Sequence, residues 1–180
     1  DRRRRGLKTV SVVGYTNAGK STLVNALTQK GAYVADALFA TLDTHVGKLW
    51  LEDPQRPGTG TETLISDTIG FIQDLPPDLI EAFSSTLDET VHADLILHVL
   101  DASDPHQKEK KKEVEAILQQ LGVEKTPRLL VLNKVDRLTP AKRMSRLKAA
   151  AKTQDIPVSA ATGEGVGLLK DRIRRNLFEG

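Results

Sequence analysis

The sequence predicts an α/β domain: a six-stranded, mostly parallel sheet with one antiparallel edge hairpin and helices on both faces. Three observations predict it. Short β-branched or aliphatic runs alternate with segments whose apolar residues recur every three or four positions. One pair of strand-like runs is separated only by turn chemistry, as a hairpin requires. The first strand-like run leads through a glycine-rich octapeptide straight into a helical segment, a strand–loop–helix order typical of such sheets.

Taken in order, Thr9 to Val13 is a β-branched strand that stops at Gly14. Lys20 to Thr28 reads as a helix with Leu23 and Leu27 on one face. Val46 to Leu51 and Glu62 to Ser66 are strands flanking the turn-rich stretch Asp53 to Gly60, which contains two prolines and two glycines. Pro77 opens a helix carrying Leu79, Ile80, Phe83 and Leu87. Asp94 to Leu100 is a buried-type strand, and Lys108 to Leu121 an amphipathic helix with Val114, Ile117, Leu118 and Leu121 inward. Arg128 to Leu132 is the next strand, Arg143 to Thr153 another helix, and Ile156 to Val158 a last short strand. The final helix buries Val166, Leu169, Ile173 and Leu177.

With 180 residues the chain has room for one domain with a sizeable core. Hydrophobic residues make up 39% and charged residues 28%, which argues against wholesale disorder. A net charge of +2 is too small to mark the whole domain as a binder of nucleic acid or membranes. The absence of cysteine excludes disulfides and thiolate chemistry. No apolar run reaches membrane-span length, so a cytoplasmic, monomeric protein is the expectation. Residues 1–8, with Arg2 to Arg5, read as a basic linker from a missing upstream domain or as a nucleic-acid patch. Residues 9–180 read as the domain proper.

The motifs fall at the carboxyl ends of strands, where open α/β sheets bind ligands. Gly14-Tyr15-Thr16-Asn17-Ala18-Gly19-Lys20-Ser21, followed by Thr22, matches G-x-x-x-x-G-K-[ST]. Glycines at both ends allow backbone to approach phosphate oxygens, and successive N–H groups plus a helix N-terminus supply positive potential. Lys20 offers a mobile charge to β- and γ-phosphates, and Ser21 a hydroxyl for magnesium. Asp67-Thr68-Ile69-Gly70 matches D-x-x-G: Asp67 suits magnesium through water, and the Gly70 amide suits the γ-phosphate. Asn133-Lys134-Val135-Asp136 matches N-K-x-D. The Asp136 carboxylate can accept from guanine N1–H and its exocyclic amine together, a pairing adenine cannot offer. Ser159-Ala160-Ala161 follows the last strand and suits a backbone contact to the base. Thr41, with Thr44 as runner-up, is the candidate in the loop from Gly31 to Val46 to bind magnesium and sense the γ-phosphate.

These motifs in this order resemble the Ras-like P-loop GTPase domain of translation-factor-like GTPases. Gly14 to Thr22, Leu38-Phe39-Ala40-Thr41-Leu42-Asp43, Asp67 to Ile72, Leu75-Pro76, Glu81-Ala82-Phe83, Thr86-Leu87 and Glu89-Thr90 closely resemble the HflX family. The resemblance implies GTP binding and magnesium-dependent hydrolysis, binding to the ribosome through the large (50S) subunit, and splitting or rescue of stalled ribosomes. It implies an upstream domain as well, so the chain resembles a GTP-binding domain on its own. Alternatives are a nucleotide-gated binding module with negligible turnover, or a ribosome-assembly GTPase of the Era or Obg type.

Two features point to incomplete catalysis. Phe71 stands where Ras-like enzymes carry the water-orienting glutamine, and the stretch from Gly31 to Gly47 has no Arg or Lys to act as a finger in cis. Catalysis therefore rests on Lys20, Thr41, Gly70 and magnesium, with a slow intrinsic rate and a partner to raise it. Asn17 sits where some related GTPases hold potassium beside the phosphates; the other reading is that it satisfies loop backbone. The four histidines lack metal-ligand spacing. Asp101 and Asp104 read as turn or cap residues, Trp50 as hairpin packing, and Arg172, Arg174 and Arg175 as a solvated face or a ribosomal contact. If Asn17 holds potassium, GTP turnover should be several-fold faster in potassium than in sodium buffer; equal rates in steady-state phosphate release would remove that ion from the account.

Overall fold

The computed structural model describes residues 6–15, 17–28, 45–67 and 88–180. Strand β1 (Thr9–Gly14) leads to helix α1 (Lys20–Thr28). Strands β2 (His45–Glu52) and β3 (Gly60–Asp67) form the antiparallel hairpin. A short helix α2 (Asp88–Val91) precedes β4 (Leu95–Asp101). Then come α3 (Gln107–Gln120), β5 (Arg128–Asn133), a 3-10 turn (Val135–Arg137), α4 (Pro140–Thr153), β6 (Ile156–Pro157) and α5 (Val166–Phe178). The sheet order is β2-β3-β1-β4-β5-β6, and every pair except β2–β3 is parallel. The expected sheet is therefore present, with its one antiparallel edge. The helix expected after Pro77 lies outside the described residues.

Alternation along the strands sorts the core into two layers. Val10, Val12, Leu95, Leu97, Val99 and Val131 pack with Leu23 and Leu27 of α1 and Leu169 and Ile173 of α5 on one face. Val13 and Ile96 pack with Val114 and Leu118 of α3 on the other. Strands covered on both faces read as continuous apolar runs, and β4 is buried along all but its last residue. The hairpin is open on one face: Trp50 is half exposed, with its ring edge lying over Gly60. Helix α4 starts three residues earlier than the expected Arg143, because Thr139 is extended, accepts from the Lys142 amide and is followed by Pro140 at the first helical position. Leu177 is only partly buried, at the frayed end of α5.

Parallel register brings the strand ends to one edge. Val12 lies beside Asp67, Gly14 beside Val99, and Asp101 beside Asn133. A short polar seam ties α2 to β1 beneath them: Ser11 and Thr90, both fully buried, share a hydroxyl–hydroxyl bond of 2.9 Å, and Asp94 accepts from the Thr9 amide at 2.8 Å. The two buried hydroxyls would otherwise carry a desolvation cost inside the sheet layer, whereas the Thr9–Asp94 bond lies at its exposed end.

His98, between Val13 and Leu130 in the sheet, is buried, and its Nε2 has no hydrogen-bond partner. Burial, reinforced by the Lys111 and Arg128 charges, lowers its pKa to about 4. The folded chain thus refuses a proton that the unfolded chain accepts below about pH 6.5. Stability is complete above that value and falls as pH drops toward 4, by about 3 kcal/mol from this residue. Urea unfolding of wild type and His98→Leu at pH 7 and pH 4 should show the gap between them shifting by about that amount against the wild type on acidification. A gap independent of pH would contradict it.

Candidate functional site

Backbone constraints shape the site before any ligand chemistry. The chain leaves β1 at Gly14, turns through Tyr15 to Gly19, and enters α1 at Lys20. Gly19 is left-handed, at φ +89°, and a Cβ there would come within 2.4 Å of Asn133 Nδ2. At Gly14 a Cβ would lie 2.6 Å from the Val99 carbonyl oxygen. That glycine is thus required by the close approach of β4, a packing reason that the phosphate argument from sequence did not contain. Asn17 is also left-handed, at φ 70°, one of three non-glycine residues with positive φ among the described residues.

Two side chains of the N-K-x-D segment hold this loop. Asn133, 2% exposed, donates from Nδ2 to the Ala18 carbonyl at 3.0 Å and accepts at Oδ1 from the Ala160 amide at 3.0 Å. Lys134, left-handed at φ 65°, donates from Nζ to the Asn17 carbonyl at 2.5 Å and pairs with Asp101 Oδ2 at 3.3 Å. Two consecutive loop carbonyls are therefore drawn toward β5. The peptide N–H of Gly19, opposite the bound Ala18 carbonyl, is turned the other way, as an anion-binding nest requires. The Ala18 amide closes the turn on the Tyr15 carbonyl at 3.2 Å.

Lys20 is buried at the head of α1, with Nζ donating to the Tyr15 carbonyl at 3.3 Å. Burial lowers its pKa from the ordinary lysine range, and the Asp67 carboxylate opposes that shift. One residue on, Ser21 Oγ donates to Asp67 Oδ2 at 2.9 Å, while Thr22 is exposed on the first turn. A hydroxyl and one buried carboxylate in contact form a hard-oxygen donor pair that fits magnesium bound together with phosphate oxygens. Among the described residues there is no group of three or more His, Cys, Asp or Glu able to cage a metal.

On the other flank, Asp136 is exposed and accepts from Ser159 Oγ at 2.8 Å, and Ser159 also takes the Thr162 amide at 3.2 Å. The Ala160 amide is engaged by Asn133, and Ala161 is exposed at the rim. The loop is fixed to α4 by an Arg143–Glu164 ion pair. Tyr15 anchors the opposite side, donating to Glu113 of α3 under the Lys110 ammonium, which lies 5.1 Å from its ring centre. Thr16, Thr41, Gly70 and Phe71 lie outside the described residues.

A cavity of about 130 Å³ borders this loop, lined by Tyr15, Asn17, Asp101, Asp104 and Lys110. A larger groove of about 580 Å³ runs between the hairpin and α5 and includes none of the motif residues. Size does not select the site here; the convergent carboxylates, lysines and strained backbone at the strand ends do. Arg174 and Arg175 are ion-paired within α5 to Asp171, and Arg174 also to Glu179 just past its end.

A family model described as 50S ribosome-binding GTPase matches residues 9–134. Over 178 residues the chain is 46% identical to the GTPase HflX of Caldanaerobacter subterraneus subsp. tengcongensis, covering 99% of this chain and 39% of that protein. It is 47% identical over 169 residues to the GTPase HflX of Magnetococcus marinus, covering 94% and 37%. A GTP-binding protein from the hyperthermophilic archaeon Sulfolobus solfataricus, solved in complex with GDP, superposes with a TM-score of 0.69 at 26% identity, covering 99% of this chain and 55% of that one. The chain spans about two fifths of the length of the curated relatives it matches.

Replacing Gly14 by Ala should lower the unfolding free energy of the nucleotide-free chain by about 2 kcal/mol, because a strand carbonyl cannot yield cheaply. Urea denaturation measures it, and an unchanged midpoint would mean that this glycine serves only a ligand.

Proposed function

We propose a guanine-nucleotide switch acting at the ribosome, and the premise is membership: the chain belongs to the 50S ribosome-binding GTPase family and, within it, to the HflX GTPases. In this reading the site binds GTP and hydrolyses it to GDP and phosphate. The observation that carries it is the Asn133 side chain, which joins the glycine-rich loop to the segment bearing Asp136 and so couples a phosphate cradle to a base pocket.

The roles follow from chemistry. The loop from Gly14 to Ser21 wraps the phosphates, with the Gly19 and Lys20 amides and the Lys20 ammonium facing them. Burial lowers the Lys20 pKa, and a bound polyphosphate would act in the opposite direction by favouring the ammonium. Ser21 and Asp67 would hold magnesium, with Thr41 as a third contributor; the ion supplies neutralisation of charge on the β- and γ-phosphates. Gly70 offers its amide to the γ-phosphate, and Thr22 lies beside the loop at the start of α1. Asp136, oriented by Ser159, accepts from the guanine edge, and Ala160 and Ala161 border the base. Lys134 lays its stem across Gly19. Potassium at Asn17 remains part of this proposal.

Phe71 in place of a water-orienting glutamine gives a slow intrinsic rate, and the 50S subunit is the proposed stimulator. The fuller role proposed, from the family resemblance, is a cytoplasmic monomer that splits or rescues stalled ribosomes. No helix among the described residues is long and apolar enough to cross a membrane.

Single-turnover GTP hydrolysis with and without 50S subunits tests the reading, with Asp136→Asn as the specificity control. The wild type should hydrolyse GTP slowly and faster with 50S. The variant should lose at least about tenfold of its preference for GTP over ATP in competition. Full guanine selectivity in the variant would refute the base pocket, and no turnover above the GTP-only blank would leave a binding module.

A further inference from the structure

Asp101 ends β4 and lies beside Asn133 in the β4–β5 ladder, where the Ala102 amide donates to the Asn133 carbonyl at 2.8 Å. Its carboxylate is held at both oxygens. Oδ1 accepts from the Ser103 amide at 2.9 Å and from the Ser103 hydroxyl, which fixes the plane of the group. Oδ2 then faces Lys134 Nζ at 3.3 Å, and both side chains are about four-fifths covered, at 20% and 19% exposure. Serving the turn uses one oxygen only. We infer that Asp101 is a positioning residue for the nucleotide site: its second oxygen holds the Lys134 ammonium on the Asn17 carbonyl and so keeps the phosphate-binding loop in its binding shape.

The physical case rests on what Lys134 would do alone. A lysine has a flexible four-carbon stem and a strongly hydrated head, so a single neutral carbonyl is a poor reason to stay folded inward. Lys134 also carries a left-handed backbone, a strain that persists only when its surroundings over-determine it. A partly buried carboxylate supplies that determination, because screening is weak and the pair is charge-assisted. With Nζ fixed, the Asn17–Ala18 peptide is fixed, and the loop meets a polyphosphate without reordering. Removing the charge frees the lysine, loosens that peptide and speeds nucleotide release.

This inference rests on the guanine-nucleotide reading above, and the test separates the two. Stopped-flow release of a fluorescent GDP from the 180-residue chain is measured for wild type, Asp101→Asn, Lys134→Met and the double variant. Asn at 101 keeps an acceptor for Ser103 and replaces the oxygen that meets Lys134 with a neutral NH2 donor, so both the charge and that acceptor are lost. The expected result is release about tenfold faster in Asp101→Asn, and less than about twofold further change when Lys134 is already Met, since the two act as one unit. An equal acceleration in both backgrounds would assign Asp101 to the turn alone, and an unchanged rate would remove it from the site; either overturns the inference. Wild-type chain that binds no guanine nucleotide would overturn the reading beneath it.

Discussion

Asn133 bonds at once to residues 115 positions before it and 27 after it: Nδ2 reaches the Ala18 carbonyl and Oδ1 the Ala160 amide. Three loops that the chain makes far apart are thereby held at one strand end, and the loop geometry follows. Gly19 must be glycine because that amide nitrogen passes where a Cβ would be. Lys134 follows Asn133 with a left-handed backbone, so its ammonium reaches the neighbouring loop carbonyl. The cost of ordering a glycine-rich loop is considerable, and buried amide hydrogen bonds such as those of Asn133 are an effective way to offset it.

The sheet makes that contact possible. Gly14, Asp67, Asp101 and Asn133 reach one edge because β1, β3, β4 and β5 run parallel in register. Helix α3 grips the loop from the other side through Glu113 and Tyr15, and the loop is thus clamped between a helix and a strand end. Lys20 and the Ser21–Asp67 pair sit at the mouth with their chemistry already set by burial.

Much of this was legible in the residues. The alternation of apolar periods gave the α/β class, and the turn-rich stretch from Asp53 to Gly60 marked the hairpin. The glycine-rich octapeptide and the N-K-x-D segment were legible as patterns of residue type and spacing, and the fold brings both to one sheet edge. The start of α4 is also written in Thr139-Pro140, a cap followed by proline, a signal that the reading from Arg143 passed over. What the chain could not reveal was contact between distant segments. Nothing local tells Asn133 to bond Ala18, or gives Gly14 a reason in the Val99 carbonyl. Asp101 read as a turn residue because its first oxygen is one; its second partner, Lys134, lies 33 positions on, and no periodicity announces it.

The central claim is that the segment Asn133 to Asp136 and the glycine-rich loop are one mechanical unit joined by the Asn133 side chain. Native-state hydrogen exchange at the Ala18 amide, which donates to the Tyr15 carbonyl, tests that most directly in the nucleotide-free chain. Asn133→Ala should speed exchange at Ala18 by about tenfold or more while the β1 amides remain slow. Unchanged exchange at Ala18 in the variant would mean that the loop holds its shape alone, and would contradict the account.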